Sequence, residues 1–375
     1  MVDNNRSLLF IPDITGFTKF VNQTEIEHSQ HIISELLELI VDSNKISMEV
    51  SEVEGDAVLF FKHNSVPDLV EIIEQVKQTF LDFHNHLKSY ESKRICNCGA
   101  CSTAINLSLK FIIHQGEIGF TEVKGHKKPF GADLILVHRL LKNNIPEKEY
   151  LLLTDSFSIQ NQQNNHSKDT AWLNYERGDI TYENIGEIIY NYAKLSPLHQ
   201  WVKKPAPPKL AEKVKNPITE QVFIDLPMEA VFEKVSNFNY RLEWNQGVDK
   251  LEYEKERVNR IGTRHRCVIG KNQILNFETT KNNFGKGKMV YGEKIMDLPI
   301  AKDAAFYYIL EKEKEGTLVT AEVHIHPKPV IGWLVLPVLK RKFKKNLGVL
   351  IQKLKEACEK ESEPTLIASQ NQVTV

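Results

Sequence analysis

The sequence predicts an α+β protein of two domains, and three observations carry the prediction. The chain has 375 residues, more than one ordinary core holds and ample for two. Its N-terminal half interleaves strand and helix patterns. A Lys/Pro-rich stretch at 197–216 then interrupts regular structure, and beyond it the order becomes strand, short helix, many strands and one long helix.

Taken in order, 8–14 is a short apolar run that reads as a buried strand ending near Asp13. Residues 28–46 place Ile32, Ile33, Leu36, Leu37 and Ile40 at helical spacing. Residues 47–53 alternate, and Glu54-Gly55-Asp56 turns the chain into 57–61, which predicts a β-hairpin. A second amphipathic helix covers 66–90, a long strand 104–114, a further strand 117–123, a third helix 132–141, and late strands 150–153 and 185–192. Strand, helix, hairpin, helix, strand is the order of a ferredoxin-like core. After the linker, 221–225 reads as a strand and 227–235 as a short helix. Strands follow near 251–257, 263–269, 274–280, 289–296, 306–312 and 318–324, then a helix over 339–358 and a polar tail at 361–375 expected to be disordered. The expected domains are 1–196 and 217–360.

Composition narrows the function. Hydrophobic residues at 41%, charged residues at 26% and a formal net charge of −1 describe a globular chain with no basic field to draw it to nucleic acid. The longest apolar stretch, 330–339, is interrupted by Gly332 and Pro337, so no membrane-spanning helix is expected. The polar N-terminus lacks the pattern of a signal peptide, and three clustered plus two lone cysteines do not make a disulfide framework, which together predict a reducing, cytoplasmic setting.

Asp13 ends the first strand and Asp56 starts the strand leaving the hairpin. If those strands are antiparallel neighbours, the two carboxylates face a common point. They repel there unless a cation lies between them, and Mg²⁺ suits such a pair when phosphate oxygens complete its shell. Gly16, Phe17 and Thr18 follow at the expected start of a helix, where free backbone N–H groups favour phosphate. The run Phe10-Ile11-Pro12-Asp13-Ile14-Thr15-Gly16-Phe17-Thr18 resembles the first metal motif of the class III adenylyl and guanylyl cyclases, and Glu52-Val53-Glu54-Gly55-Asp56-Ala57 resembles their second. Leu109 to Gly116 is similar to the strand before their active-site helix, and Phe130-Gly131-Ala132 leading to Arg139 to the start of that helix. The resemblance covers residues 6–195 and implies a homodimer with a purine nucleotide at its interface. It implies two Mg²⁺ or Mn²⁺ ions on Asp13, Asp56 and the Ile14 carbonyl, Glu52 and Lys128 at the base, and Arg139 stabilising the transition state from the other subunit. Three departures stand against turnover. Ile135 falls where the family has a transition-state asparagine, Lys128 does not complete a familiar base-reading pair with Glu52, and the late strand Asn184-Ile185-Gly186-Glu187 lacks the phosphate-binding lysine.

Cys96, Cys98 and Cys101 place three thiols within six residues. Three thiolates can share Zn²⁺, which needs a fourth ligand, and His84, His86 or a partner subunit could supply it. A redox-active pair, unligated thiols and an Fe–S cluster stay open beside zinc.

In the C-terminal part, Asp225 to Asn237, Trp244 and the stretch Val258 to His265 resemble the START-like superfamily, also called SRPBCC, over 217–360. That resemblance implies a helix-grip fold, in which a curved antiparallel sheet wraps a long helix around an apolar cavity for a small hydrophobic ligand or lipid. Trp244, Phe277, Tyr307, Trp333 and Phe343 are cavity candidates, each more readily read as ordinary core. Lys340, Arg341, Lys342, Lys344 and Lys345 form a basic cluster that reads as a solvated face or as a contact for an acidic ligand or lipid surface. His324 and His326 share a strand face and read as surface histidines, with a metal pair as the alternative. Two functions follow: a regulatory protein coupling a nucleotide–metal domain to a hydrophobic-ligand domain with little or no turnover, or a working purine nucleotide cyclase controlled by that second domain.

Overall fold

The first strand, β1 (Arg6–Thr15), is buried from Ser7 through Ile14, because a strand lies against each of its edges. β3 (Ala57–Lys62) pairs with it antiparallel on one side and β4 (Ser108–Glu117) antiparallel on the other. This is a computed structural model; it describes residues 6–157, 172–270, 273–296, 298, 301–329 and 331–360, and not the side chains of 126, 127 and 331–335. The expected tail, 361–375, lies outside the described residues. The chain divides into two units, one holding 96–206 with the residues up to 92, the other holding Lys93–Ile95 with Pro207 onward. Among the described residues, no helix is long and apolar enough to cross a membrane.

In the N-terminal unit the sheet order is β2-β3-β1-β4-β7-β9-β8, with β2 (Glu49–Glu54), β7 (Tyr150–Thr154), β8 (Tyr175–Tyr182) and β9 (Gly186–Lys194). Only β4 and β7 run parallel. The helices are α1 (Phe17–Gln23), α2 (Ile26–Asp42), α3 (Leu69–Lys93), α4 (Gly99–Thr103) and α5 (Ala132–Leu140). Alternation along the buried strands gives each face its own core. Leu9, Ile11, Leu59, Phe61 and Ile112 join Leu136, Val137 and Leu140 of α5, while Phe10 meets Phe60 and Phe111 at ring centroid distances of 6.0 and 5.7 Å. The long strand begins later than the sequence suggests, because Ala104–Asn106 closes as a 3₁₀ turn. A separate hairpin forms from β5 (Gly119–Val123) and β6 (His126–Phe130).

In the C-terminal unit seven antiparallel strands run in the order β10-β16-β15-β14-β13-β12-β11. They are β10 (Ile218–Ile224), β11 (Lys250–Glu252), β12 (Arg264–Ile269), β13 (Gln273–Thr280), β14 (Lys288–Ile295), β15 (Ala301–Glu313) and β16 (Gly316–Pro327). Two short helices, α6 (Met228–Ser236) and α7 (Arg241–Trp244), precede the sheet's return, and α8 (Ile331–Lys360) closes it. This is the helix-grip α+β architecture. α8 starts earlier than the apolar periodicity indicates and runs through Pro337. Pro337 stands beyond the first turn, where a proline forgoes one intrahelical hydrogen bond.

One contact fixes α5 on the first sheet. The Asp133 carboxylate accepts the Glu117 N–H at 2.7 Å and meets His114 Nε2 at 3.0 Å. Gly116 makes the approach feasible, since a Cβ there would lie 2.3 Å from the Asp133 carboxyl carbon. The His114 hydrogen bond, against the effect of burial and with the help of the Glu117 N–H, holds the Asp133 carboxyl below its ordinary value. A carboxylate depressed in the folded state stabilises above its unfolded pKa and ceases to as pH falls through the lower folded value. Gly116→Ala should therefore destabilise the chain by roughly 1–3 kcal/mol, the usual scale of overpacking. Asp133→Asn should flatten the loss of stability below about pH 4, near the ordinary aspartate pKa. Urea midpoints between pH 3 and 7 measure both, and an unchanged acid limb in Asp133→Asn would remove the anchor from the account.

Candidate functional site

The register of β1 delivers the carboxylate pair. Asp13 lies opposite Ala57 on β3 and opposite Lys110 on β4, and the Ile14 N–H donates to the Asp56 carbonyl at 2.8 Å. Lys110, which the sequence reading did not single out, sets its Nζ 3.3 Å from Asp13 Oδ1 and also donates to the Leu141 carbonyl at 3.1 Å. Burial pushes the Asp13 carboxyl up to about 6, with Asp56 adding to the shift and Lys110 opposing it. Burial also raises Asp56. One ammonium thus faces two acids and does not balance them. Two carboxylates with surplus negative charge are the donor chemistry that Mg²⁺ or Mn²⁺ accepts.

Around this point the other expected residues scatter. Gly16 adopts φ +93 ahead of α1, and that helix is only seven residues long. Glu52 and Lys128 do meet, at 3.6 Å, and His138, which the sequence reading missed, stands 3.5 Å from the same Glu52 carboxylate. A register shift between Val50 and Glu52 lies on the strand that carries Glu52. Arg139 is exposed and donates to the Glu183 carbonyl at 3.1 Å. Ile135, one turn earlier on α5, is 54% exposed.

The sulfur cluster has a different imidazole from the one expected. His28 of α2 joins Cys96, Cys98 and Cys101, with all four donor atoms within 4.8 Å of one another. Hydrogen bonding among the three sulfurs, with burial, pushes the Cys101 thiol up. His84 and His86 are not in the group, because α3 turns them elsewhere. His86 pairs with Glu35 at 3.0 Å. His84 stands 3.1 Å from Glu149, whose other oxygen meets His199 at 2.8 Å.

In the C-terminal unit a cavity of about 570 Å³ lies between the sheet and α8. Trp244, Phe277 and Phe343 line it as expected, together with Phe306, Tyr308 and Leu347. Tyr307 does not. Successive strand residues face opposite ways, so Phe306 and Tyr308 point into the cavity while Tyr307 packs against Phe284 and His324 on the other face. The side chain of Trp333 lies outside the described residues. His324 is also not a surface residue. It is 1% exposed, accepts the Val214 N–H at 3.0 Å and meets Glu322 at 2.8 Å.

The cavity wall carries one charged pair that sequence reading missed. Arg241 and Glu293 line it and are both buried. Arg241 Nη1 donates to Glu293 Oε2 at 3.1 Å and Nη2 bonds Glu293 Oε1 and the Tyr291 hydroxyl, which itself donates to Glu293 at 2.5 Å. Burial pushes the Glu293 carboxyl up, but the Arg241 charge, His265 and these hydrogen bonds outweigh it and hold it below its ordinary value. Burial pushes neighbouring His265 down to about 4. From the basic cluster, exposed Lys342 and Lys345 reach the lining and Lys340, Arg341 and Lys344 do not.

The elevated Asp13 pKa makes a signed prediction. A carboxylate whose folded pKa exceeds its unfolded value of 3.8 destabilises the fold once ionised. Asp13→Asn should leave stability unchanged near pH 3 and raise it progressively between about pH 4 and 6. Above that the gain should be about 2–3 kcal/mol, at 1.36 kcal/mol per pKa unit. Thermal melts across that range test it. A destabilised Asp13→Asn chain at pH 8 would mean that Lys110 fully compensates the carboxylate.

Residues 33–150 match a family described as a protein of unknown function (DUF2652), and residues 217–359 match the polyketide cyclase / dehydrase and lipid transport family. A Mycobacterium tuberculosis protein described as uncharacterized protein Rv2561/Rv2562 is 31% identical over 164 residues, covering 44% of this chain and 74% of that relative. Among solved structures, TTHA0849 from Thermus thermophilus is 19% identical and covers 40% of this chain and 100% of its own, with a TM-score of 0.32. The guanylate cyclase domain of RhGC from Catenaria anguillulae, solved with GTP, is 15% identical and covers 51% of this chain and 97% of its own, with a TM-score of 0.35. The chain belongs to the family of the mycobacterial protein, with a DUF2652 region in its N-terminal part and a polyketide cyclase/dehydrase and lipid transport domain, of the SRPBCC type, in its C-terminal part.

Proposed function

We propose that the chain is a ligand-responsive regulator. Its C-terminal domain takes up a hydrophobic molecule bearing an acid group, and its N-terminal domain binds a purine nucleotide with a divalent cation while forming little or no cyclic product. The observation that carries this reading is the cavity of about 570 Å³, apolar in body and edged by the exposed ammonium groups of Lys342 and Lys345. That volume is in the range of small-molecule sites. The buried Arg241 is already matched by Glu293, so the wall offers no net charge and the acid group belongs with the lysines.

For the N-terminal domain, Asp13 and Asp56 would hold Mg²⁺ or Mn²⁺, which neutralises phosphate charge when bound. Glu52 and Lys128 would face the purine, and Arg139 would reach it from a second copy of the chain. Two features weigh against turnover. Ile135 offers no hydrogen-bond donor at the position the resemblance reserves for one, and the hairpin of β8 and β9 brings no lysine at Asn184 to Glu187. Losing one preorganised donor costs roughly 10²–10³-fold in rate. The second reading, a working cyclase gated by the C-terminal domain, is favoured by the pairing of Asp13 with Lys110 and by the backbone hydrogen bond that brings Asp56 next to Ile14.

The full chain should bind a fluorescent long-chain fatty acid. Lys342→Glu with Lys345→Glu should weaken that binding roughly tenfold, equivalent to about 1.4 kcal/mol, and Leu347→Trp should abolish it by filling the cavity. No uptake would refute the ligand-binding role, and equal affinity for the matching neutral alcohol would refute the acid group. In parallel, GTP or ATP with Mn²⁺ should bind and lose affinity in Asp56→Ala, with no cyclic product on chromatography. Robust product formation abolished by Asp56→Ala would establish the cyclase instead.

A further inference from the structure

We propose that Cys96, Cys98, Cys101 and His28 form a closed, structural zinc site that ties the start of α2 to the segment entering β4. The inference goes beyond the ligand and nucleotide reading and does not depend on it.

Four donors of the right kind converge from two places in the sequence. The sulfurs come from a loop and the short α4, and the nitrogen from the first turn of α2. His28 Nδ1 lies 3.2 Å from Cys98 Sγ and 3.6 Å from Cys101 Sγ. No pair among the four donor atoms is further apart than 4.8 Å. A tetrahedral zinc with Zn–S of about 2.3 Å and Zn–N of about 2.0 Å needs donor separations of roughly 3.5–3.8 Å. The group therefore closes on an ion with shifts of about an ångström or less.

Backbone N–H groups point at two of the sulfurs. The Cys98 N–H donates to Cys96 Sγ at 3.2 Å and the Cys101 N–H to Cys98 Sγ at 3.4 Å, which disperses negative charge on sulfur as backbone donors do around metal-bound cysteines. All three cysteines are free of disulfides, and Cys96 and Cys101 are 7% and 4% exposed. Three thiols cannot all be paired as disulfides among themselves, whereas one soft cation can bind all three. The set contains no carboxylate and four protein donors, which is the composition of a structural rather than a catalytic zinc centre.

The position is preorganised without the ion. Glu25, just ahead of α2, accepts the Gly99 and Ala100 N–H groups at 3.1 Å each, so the starts of α2 and α4 already meet. α1 and α2 follow Asp13 in the chain, and α4 leads into the strand carrying Lys110. A zinc ion here would cross-link the two segments that flank the ion pair of Asp13 and Lys110.

The full chain, purified under reducing conditions without chelator, should contain one equivalent of zinc by mass spectrometry. After exchange, Co²⁺ should show thiolate-to-cobalt charge transfer and tetrahedral d–d bands. His28→Ala should lower zinc affinity at least tenfold, the scale of losing one metal ligand or its support, and His28→Cys should retain one equivalent through four thiolates. His84→Ala should keep full metal and an unchanged cobalt spectrum. A folded, metal-free chain whose thiols react with Ellman's reagent equally with and without added zinc would overturn the proposal. So would iron with acid-labile sulfide in place of zinc, or a His28→Ala chain with unaltered affinity and spectrum.

Discussion

The N-terminal domain is arranged around a carboxylate buried at the end of its central strand. β1 has a neighbour on both edges, and every residue from Ser7 to Ile14 is buried, so Asp13 cannot reach water as a surface acid would. What surrounds it is decided by register. Pairing opposite Lys110 supplies one ammonium, and the hairpin that returns through Asp56 brings that residue's carbonyl to the Ile14 N–H. A slip of one residue on either side would move the partner to the other face of the sheet. The apolar alternation of Leu9, Ile11, Leu59 and Phe61 against α5 prevents that slip. The same packing that makes the core therefore holds the Asp13 carboxyl beside Lys110 at the end of the strand.

The C-terminal domain handles its buried charge differently. Arg241 and Glu293 are fully withdrawn from water but are matched by two hydrogen bonds and a tyrosine hydroxyl. Such a pair is often no more stabilising than apolar residues of the same volume, while breaking it costs about 3–5 kcal/mol. Its presence on the cavity wall, beside aromatic and aliphatic groups such as Trp244, Phe277 and Leu347, gives that part of the pocket polar atoms without net charge. The free positive charge sits instead on α8, where Lys342 and Lys345 stay solvated. The pocket is thus graded from neutral depth to cationic rim.

Much of this was legible in the sequence because it rests on short-range pattern. The hairpin turn at Glu54-Gly55-Asp56 and the apolar run before Asp13 predict antiparallel neighbours, and the carboxylates follow from that geometry. The helix-grip order was legible for the same reason. What was not legible depends on long-range packing or on strands without alternation. His28 reaches the thiols only because α2 and α4 start together, and no spacing in the chain encodes that. Tyr307 was misplaced because β15 is buried on both faces over much of its length, so the period-2 signal that separates Phe306 and Tyr308 from Tyr307 is absent. Gly292 records the true direction, since a Cβ there would meet the Tyr307 ring at 2.7 Å, but that contact is visible only once the strands are paired. Lys110 read as part of a strand motif, and its role appears only when it stands across from Asp13.

On the nucleotide-binding proposal, the balance between binding and turnover comes down to α5. Ile135 and Arg139 are one turn apart and share a face, so whatever Arg139 approaches, Ile135 borders. An aliphatic group there can exclude water from a phosphate but cannot donate to it, and exclusion alone does not offset developing charge. The helix cannot rotate to bring another donor round, because Asp133 is bound to the Glu117 N–H and His114 while Leu136, Val137 and Leu140 are locked in the core. His138 on the same helix already faces Glu52 and Glu54. The packing that orients Arg139 is thus the same packing that leaves Ile135 in place, which under the proposed reading would let a cation be held without turnover.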